Sequence, residues 1–178
     1  MNDFVHLHLH SQYSLLDGAN RLDDVIQAAA AAGMPAISLT DHGNLFGAIE
    51  FYDKATKAGI KPIIGIEGYV AQVSIVDLNP ARGSSNHLVL LARNQTGYQN
   101  LIKLTTRSYL QGFYYKPRID HESLREFSEG LIGLSACLKG EINERILSNR
   151  EAEAEARARE YADILGSENF FLELQDHG

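Results

Sequence analysis

Histidine alternates with apolar residues through Val5, His6, Leu7, His8, Leu9 and His10, and the run ends at Ser11. A period of two marks an extended strand with two unlike faces. A first strand over about Phe4 to His8 is therefore expected, with His6, His8 and His10 toward one side and Val5, Leu7 and Leu9 toward the other. Imidazole is a common metal ligand, and neighbouring same-face imidazoles can reach one ion. The chain must then fold so that this polar face meets other ligands while the apolar face packs.

Further ligand-type residues lie at or near the ends of apolar runs. Asp17 follows His10 by seven residues, in the turn Leu16-Asp17-Gly18-Ala19. His42 and Asp41 follow the run Ala36-Ile37-Ser38-Leu39. Glu67 is an acid inside Ile63-Ile64-Gly65-Ile66-Glu67-Gly68, His87 opens Leu88-Val89-Leu90-Leu91, and Cys137 follows Leu131-Ile132-Gly133-Leu134. Strand ends and their adjoining loops are where barrel enzymes place their chemistry.

The 178 residues suit one domain with a sizeable core. Strand and helix signals alternate, which predicts an α/β fold. Helices are expected from about Leu22 to Ala32, capped by Asn20 and ended by Gly33, and from Phe46 to Ala58, ended by Gly59. Others are expected over Tyr98–Leu110, with Lys103 and Arg107 outward, Glu141–Leu147 and Glu151–Leu165. Strands are expected at Ala36–Leu39, Pro62–Val70, from His87, at Leu131–Leu134 and at Phe170–Leu174. The stretch from Asp77 to Asn86 reads as loop, too poor in helix signal for a parallel crossover. The strands carrying Glu67 and His87 are thus predicted to be antiparallel, with both residues at one end of the sheet. The segment from Gly112 to Arg118 reads as an aromatic and basic loop.

A net charge of -7 argues against a protein that grips long DNA by itself, although bound cations can supply positive charge to a phosphate site. No run of about eighteen apolar residues is present, so no membrane span or membrane partner is expected. A lone cysteine forms no intrachain disulfide, which fits a cytoplasmic setting.

Several segments together resemble the PHP (polymerase and histidinol phosphatase) domain. The branch is the one at the amino terminus of bacterial replicative, C-family DNA polymerase III alpha subunits. The segments are Phe4 to Ser11, Tyr13 to Gly18, Thr40 to Gly47, Gly59 to Gly65, Tyr114 to Asp120, Leu134 to Glu141 and Phe171 to Gly178. The resemblance implies a distorted (β/α)7 barrel, incomplete within residues 1–178, because the family's remaining Asp-x-His ligand pair and the polymerase domains would lie beyond Gly178. It implies up to three divalent ions, Zn, Mn or Fe with Mg possible, on His8, His10, Asp17, His42, Glu67, His87 and Cys137. His6 is not among the family's ligands. Cys137 also fits the plain role of a small core residue.

The activity implied is metal-dependent phosphodiester hydrolysis, a 3′-5′ exonuclease in the intact replication protein, with Asp17, Glu67 and His42 as catalytic candidates. Glu67 is the expected bridge between ions. Arg118 and His177 are candidates for substrate phosphate, against a surface ion pair and a cap respectively, and His121 is expected to be structural. Asp41 is expected to orient a ligand. Implied partners are a DNA 3′ end, the other polymerase domains, and replisome subunits such as the sliding clamp or a proofreading subunit. Two other readings stay open: a small-molecule phosphoesterase of the same superfamily, and a metal-stabilised docking module.

Overall fold

A computed structural model describes residues 4–77 and 85–176. The elements run α1 (Leu22–Ala31), β1 (Ala36–Leu39), α2 (Ala48–Lys57), β2 (Lys61–Ala71), β3 (Ser85–Ala92), α3 (Gln95–Leu110), β4 (Phe113–Tyr114), β5 (Lys116–Ile119), α4 (His121–Glu126), β6 (Leu131–Leu134), α5 (Glu141–Leu147), α6 (Glu151–Leu165) and β7 (Phe170–Phe171). The fold is α/β, as expected, and its sheet is open.

β2 organises the sheet. Its first half pairs in parallel with β1, from Ala36 opposite Lys61 to Leu39 opposite Ile64. Its second half pairs in parallel with β5, at Tyr69–Arg118 and Val70–Ile119. Between the two lies Glu67. Its amide donates to Asp41 O at 3.1 Å, and its carbonyl accepts from Gly43 N at 2.9 Å. On the other edge β2 and β3 are antiparallel, with Glu67 opposite Val89 and Tyr69 opposite His87. β6 pairs antiparallel with β3 and parallel with β7. The expected antiparallel pairing is therefore present. Residues 72–77 of the connection contain no helix, and most of the expected loop, 78–84, lies outside the described residues.

The inner face changes character along its length. Paired residues of antiparallel strands share a face. Leu91, Val89 and Leu134 form an apolar cluster with Ala136, backed by Ile63 and Ile132. Higher on the same face come Glu67, Tyr69 and His87. The alternate residues Ile66, Val70, Leu88 and Leu90 pack outward against α3, α4, α5 and α6. A second outer cluster joins Leu22, Ile26 and Ala29 of α1 to Phe51 and Ala55 of α2 and to Ile37 and Leu39 of β1. The i, i+4, i+7 spacing of the α1 residues supplies that apolar stripe.

Four expectations are corrected. Residues 4–8 form no regular strand; the run from His6 to Leu9 lies alongside β1 and the residue after it, with Ser38 N donating to His6 O and Thr40 N to Leu9 O, both at 2.9 Å. Leu7 is accordingly exposed, while Leu9 joins the α1–α2 cluster. Asn20 does not cap α1: its amide donates to His10 O at 2.9 Å, and Gln12 Oε1 accepts from Leu22 N at 3.0 Å instead. The segment after Gly112 is a short hairpin, β4 to β5, turning at Tyr115 with φ 58. The last strand is only Phe170–Phe171, parallel to β6.

At Gly97, in the first turn of α3, a Cβ would stand 1.9 Å from Gly130 O. Helix propensity alone would make Gly97→Ala stabilising by about 1 kcal/mol. A backbone atom cannot rotate away, so the clash should outweigh that gain. Thermal denaturation should show a lower melting temperature for Gly97→Ala; an unchanged or higher value contradicts this packing.

Candidate metal centre

Four imidazoles surround one carboxylate. Glu67 is 1% exposed, and its two oxygens face different partners. His87 Nδ1 lies 2.9 Å and His8 Nε2 3.3 Å from Oε1. His42 Nδ1 lies 2.7 Å and His10 Nε2 3.4 Å from Oε2. Cys137 Sγ is 3.9 Å from Oε1 and 3.5 Å from His87 Nδ1. Asp17 meets the outer side of His42, Oδ2 to Nε2 at 2.9 Å. The structure thus brings His8, His10, Asp17, His42, Glu67, His87 and Cys137 to one end of the sheet.

Backbone direction explains this convergence. β1, β2, β6 and β7 run one way and β3 runs the other. Residues following β1 and β6 therefore meet the late part of β2 and the start of β3. His42 forms an isolated bridge with Glu67, and His87 N donates to Lys139 O at 3.0 Å, just beyond Cys137. Asp41 is buried and acts through the serines beside the ligands. It accepts from Ser11 N at 2.7 Å, Ser11 Oγ at 2.8 Å and Ser14 Oγ at 2.8 Å. Ser14 Oγ in turn accepts from His42 N at 3.1 Å. Asp41 therefore pins the turn after His10, which carries Asp17 toward His42. That turn is tight: a Cβ on Gly18 would stand 1.8 Å from Ser11 O.

The electrostatics follow from burial against pairing. Burial pushes Glu67 up, but His42, His8 and His87 more than reverse this and hold its carboxyl far below the usual range. Burial lowers His8, yet Glu173 and Glu67 lift it to about 10. Burial likewise opposes charge on His87, and Cys137 and Glu67 raise it to about 9. His10 is lowered, by burial first and by the nearby His42 charge second. Burial raises the Cys137 thiol, but His87 overcomes it and the net shift is downward.

The donor set fits a metal better than it fits itself. His8 Nε2, His10 Nδ1, His42 Nδ1 and Glu67 Oε2 are buried without a hydrogen-bond partner. His42 Nδ1 and Glu67 Oε2 are close, yet not aligned as donor and acceptor. Buried polar atoms are rarely left so. Two candidate triads share Glu67: His8, His10, Glu67 and His42, Glu67, His87, with ligand atoms within 4.8 Å of one another in each. Nitrogen, oxygen and a nearby sulfur form a borderline ligand set that suits Zn, Mn or Fe better than Mg.

The site opens into a cleft of about 800 Å³ that is also lined by Tyr69, Lys116, Lys139 and the apolar rim Leu15 and Leu16. Tyr69 stacks on His42 at 5.6 Å, and Lys116 Nζ lies 4.4 Å from the centre of the Tyr69 ring.

Arg118 is a correction. It is 2% exposed, and its guanidinium donates to Gly112 O at 3.1 Å, Asp77 O at 3.2 Å and Ile75 O at 2.8 Å. It ties the β4–β5 hairpin to the segment that follows β2 and is not offered to a phosphate. His177 lies outside the described residues. His121 sits away from the centre, with Glu160 at 2.8 Å, Glu141 at 3.1 Å and Tyr161 at 3.2 Å, a structural role as expected. The sequence reading missed Glu173, whose Oε1 is 2.8 Å from His8 Nδ1. Its signal was available: like Glu67, it is an acid between apolar residues, in Leu172-Glu173-Leu174.

Residues 6–177 match the PHP domain family. The chain belongs to the PHP domain family. It is 54% identical over 177 residues to the DNA polymerase III subunit alpha of Borreliella burgdorferi, and 53% identical over 180 residues to that of Thermus aquaticus. Each alignment covers 98% of this chain and 15% of the relative, so this PHP domain spans about 15% of the length of those curated relatives. A looser likeness is to the structure of an amidohydrolase from Chromobacterium violaceum, at 19% identity and a TM-score of 0.43, covering 89% of this chain and 49% of that one. Among the described residues no helix is long and apolar enough to cross a membrane.

Without metal, the raised His8 and His87 values make a pH prediction. Their contribution to stability is fully present below the unfolded imidazole value near 6.5 and is lost as pH rises through about 9 and then 10. Bound metal requires deprotonated ligands, so metal-dependent stabilisation should instead grow over the same range. Melting temperatures from pH 6 to 10, with a chelator and with Zn²⁺, should diverge as pH rises. Parallel curves contradict the site.

Proposed function

We propose that this PHP domain is the metal-dependent phosphodiesterase part of a DNA polymerase III alpha subunit, acting on a DNA 3′ end during replication. The carrying observation is the pair of candidate ion-binding triads that share the buried Glu67. The identities of 54% and 53% to alpha subunits supply the polymerase context.

His8, His10, His42, Glu67 and His87 would hold the ions, with Asp17 and Cys137 at the margins of the set. Bound divalent ions neutralise phosphate charge and lower the pKa of water at such a centre. Glu67 faces both triads and would tie their positions together. Asp17 meets Nε2 of His42 from the solvent side and would orient the imidazole as a ligand. Lys116 and Lys139 add positive charge to a chain that is otherwise acidic, at the cleft a strand must enter. Lys116 is steadied by the face of Tyr69. Leu15 and Leu16, 84% and 98% exposed, offer apolar surface to an unstacked base beside the centre. The neighbouring polymerase domains and replisome subunits, including the sliding clamp or a proofreading subunit, belong to this proposal, as does a cytoplasmic setting.

The test uses the intact polypeptide with a 3′-labelled single strand and either Mn²⁺ or Zn²⁺. Glu67→Gln keeps the size of the side chain and removes its charge. It should lower 3′ nucleotide release by roughly 100-fold or more, since small misplacements at a reacting centre cost that much. A phosphate monoester should remain a poor substrate. Unchanged DNA cleavage by Glu67→Gln, or cleavage that persists after chelation, rejects the proposal. Metal removal that lowers only the melting temperature favours the docking module instead.

A further inference from the structure

His8 is engaged at both ring nitrogens. Nδ1 lies 2.8 Å from Glu173 Oε1, while Nε2 lies 3.3 Å from Glu67 Oε1 and makes no hydrogen bond. An ionised carboxylate can only accept, so the Glu173 contact places the ring proton on Nδ1. A neutral imidazole carries one N–H. Once the ring is deprotonated, as a metal ligand must be, Nε2 is left with a lone pair toward Glu67 and His10.

Glu173 is itself held in place. Its backbone N donates to Ser135 Oγ at 2.8 Å, and the Ser135 amide donates to Phe171 O at 3.0 Å. Gln175 Nε2 donates to Glu173 Oε1 at 2.7 Å. The same amide lies 3.2 Å from His8 Nδ1, and donation there would favour the opposite tautomer. Both the imidazole and the amide make their shorter contact with the carboxylate, which is the stronger acceptor because it is charged. The His8–Glu173 pair also joins segments 165 residues apart, the run before β1 and the run after β7.

We infer that Glu173 is a positioning residue of the metal centre, holding His8 with Nδ1 protonated and Nε2 presented to an ion. This rests on the metal-centre reading above. It assigns Glu173 a role separate from that of the ligands: it faces the far side of an imidazole that Glu67 faces from within. A purely structural tie would stabilise the fold without acting through His8. A positioning role acts only through His8.

The experiment measures Zn²⁺ affinity by competition with a chromophoric chelator in the intact polypeptide. It compares the wild type, Glu173→Gln, His8→Ala and the double variant. Glutamine keeps the size and a hydrogen bond, but its amide can turn its NH₂ toward Nδ1 and move the ring proton to Nε2. Glu173→Gln should weaken Zn²⁺ binding about 10- to 100-fold, the usual effect of losing such a partner. His8→Ala should weaken it at least as much. Adding Glu173→Gln to His8→Ala should change affinity by less than about twofold, because the two act through one ring. The inference is overturned if Glu173→Gln alone stays within about twofold of wild type, or if it costs the same with and without His8. A wild type that takes up no Zn²⁺ sinks the metal-centre reading as well. Tight wild-type binding with an indifferent Glu173→Gln removes only this inference.

Discussion

A carboxylate taken out of water costs several kcal/mol unless positive charge and hydrogen bonds replace its hydration. Glu67 is in that position, and four imidazoles crowd its two oxygens. The arrangement is only half satisfied as it stands. Glu67 Oε2 and nitrogens of His8, His10 and His42 are buried without hydrogen-bond partners. Cations held by the two triads would give His8 Nε2, His42 Nδ1 and Glu67 Oε2 the partners they lack, which a further side chain could not do. The centre is therefore the constraint around which the sheet is arranged.

β2 meets that constraint by changing neighbours. It pairs with β1 below Glu67 and with β5 above it. The crevice left at the changeover is where His42 enters. Ligands in open α/β sheets gather at such points, where strand neighbours diverge. The antiparallel β3 brings His87 to the same level, and the turn after β6 brings Cys137 beside it. Asp41 then fixes the turn that follows His10 by accepting from Ser11 and Ser14. Below the centre the same inner face is apolar, with Val89, Leu91, Leu134 and Ala136 packed together. The rigidity of the ligand cage thus comes from strand pairing and from one buried acid that is not itself in the cage.

Much of this was legible in the sequence, for reasons that differ by element. α5 and α6 begin and end where their composition changes, at Glu141–Leu147 and Glu151–Leu165. The pairing of β2 with β3 followed from a connection too poor in helix signal for a crossover. The histidine run was legible as chemistry but not as secondary structure. A strand needs a partner on its edge, and from residues 4–8 the backbone bond to β1 is the one that Ser38 N donates to His6 O. Arg118 was expected at a phosphate or in a surface ion pair, whereas hairpin closure turned it inward onto three carbonyls, a burial that no local pattern announces. Glu173 was missed because its partner, His8, is 165 residues away, and only the curl of the sheet brings them together. Asn20 has the right chemistry for a cap and sits two residues before α1, where its amide meets His10 O instead.

The most direct test of the shared-carboxylate account is the number of tightly bound Zn²⁺ ions per chain in the wild type and in Glu67→Gln, by elemental analysis after metal removal and reloading. Glu67 belongs to both triads. The account predicts that this one substitution abolishes both sites, while His10→Ala, in one triad only, spares the site built on His42 and His87. A Glu67→Gln protein that keeps either ion tightly bound would contradict it.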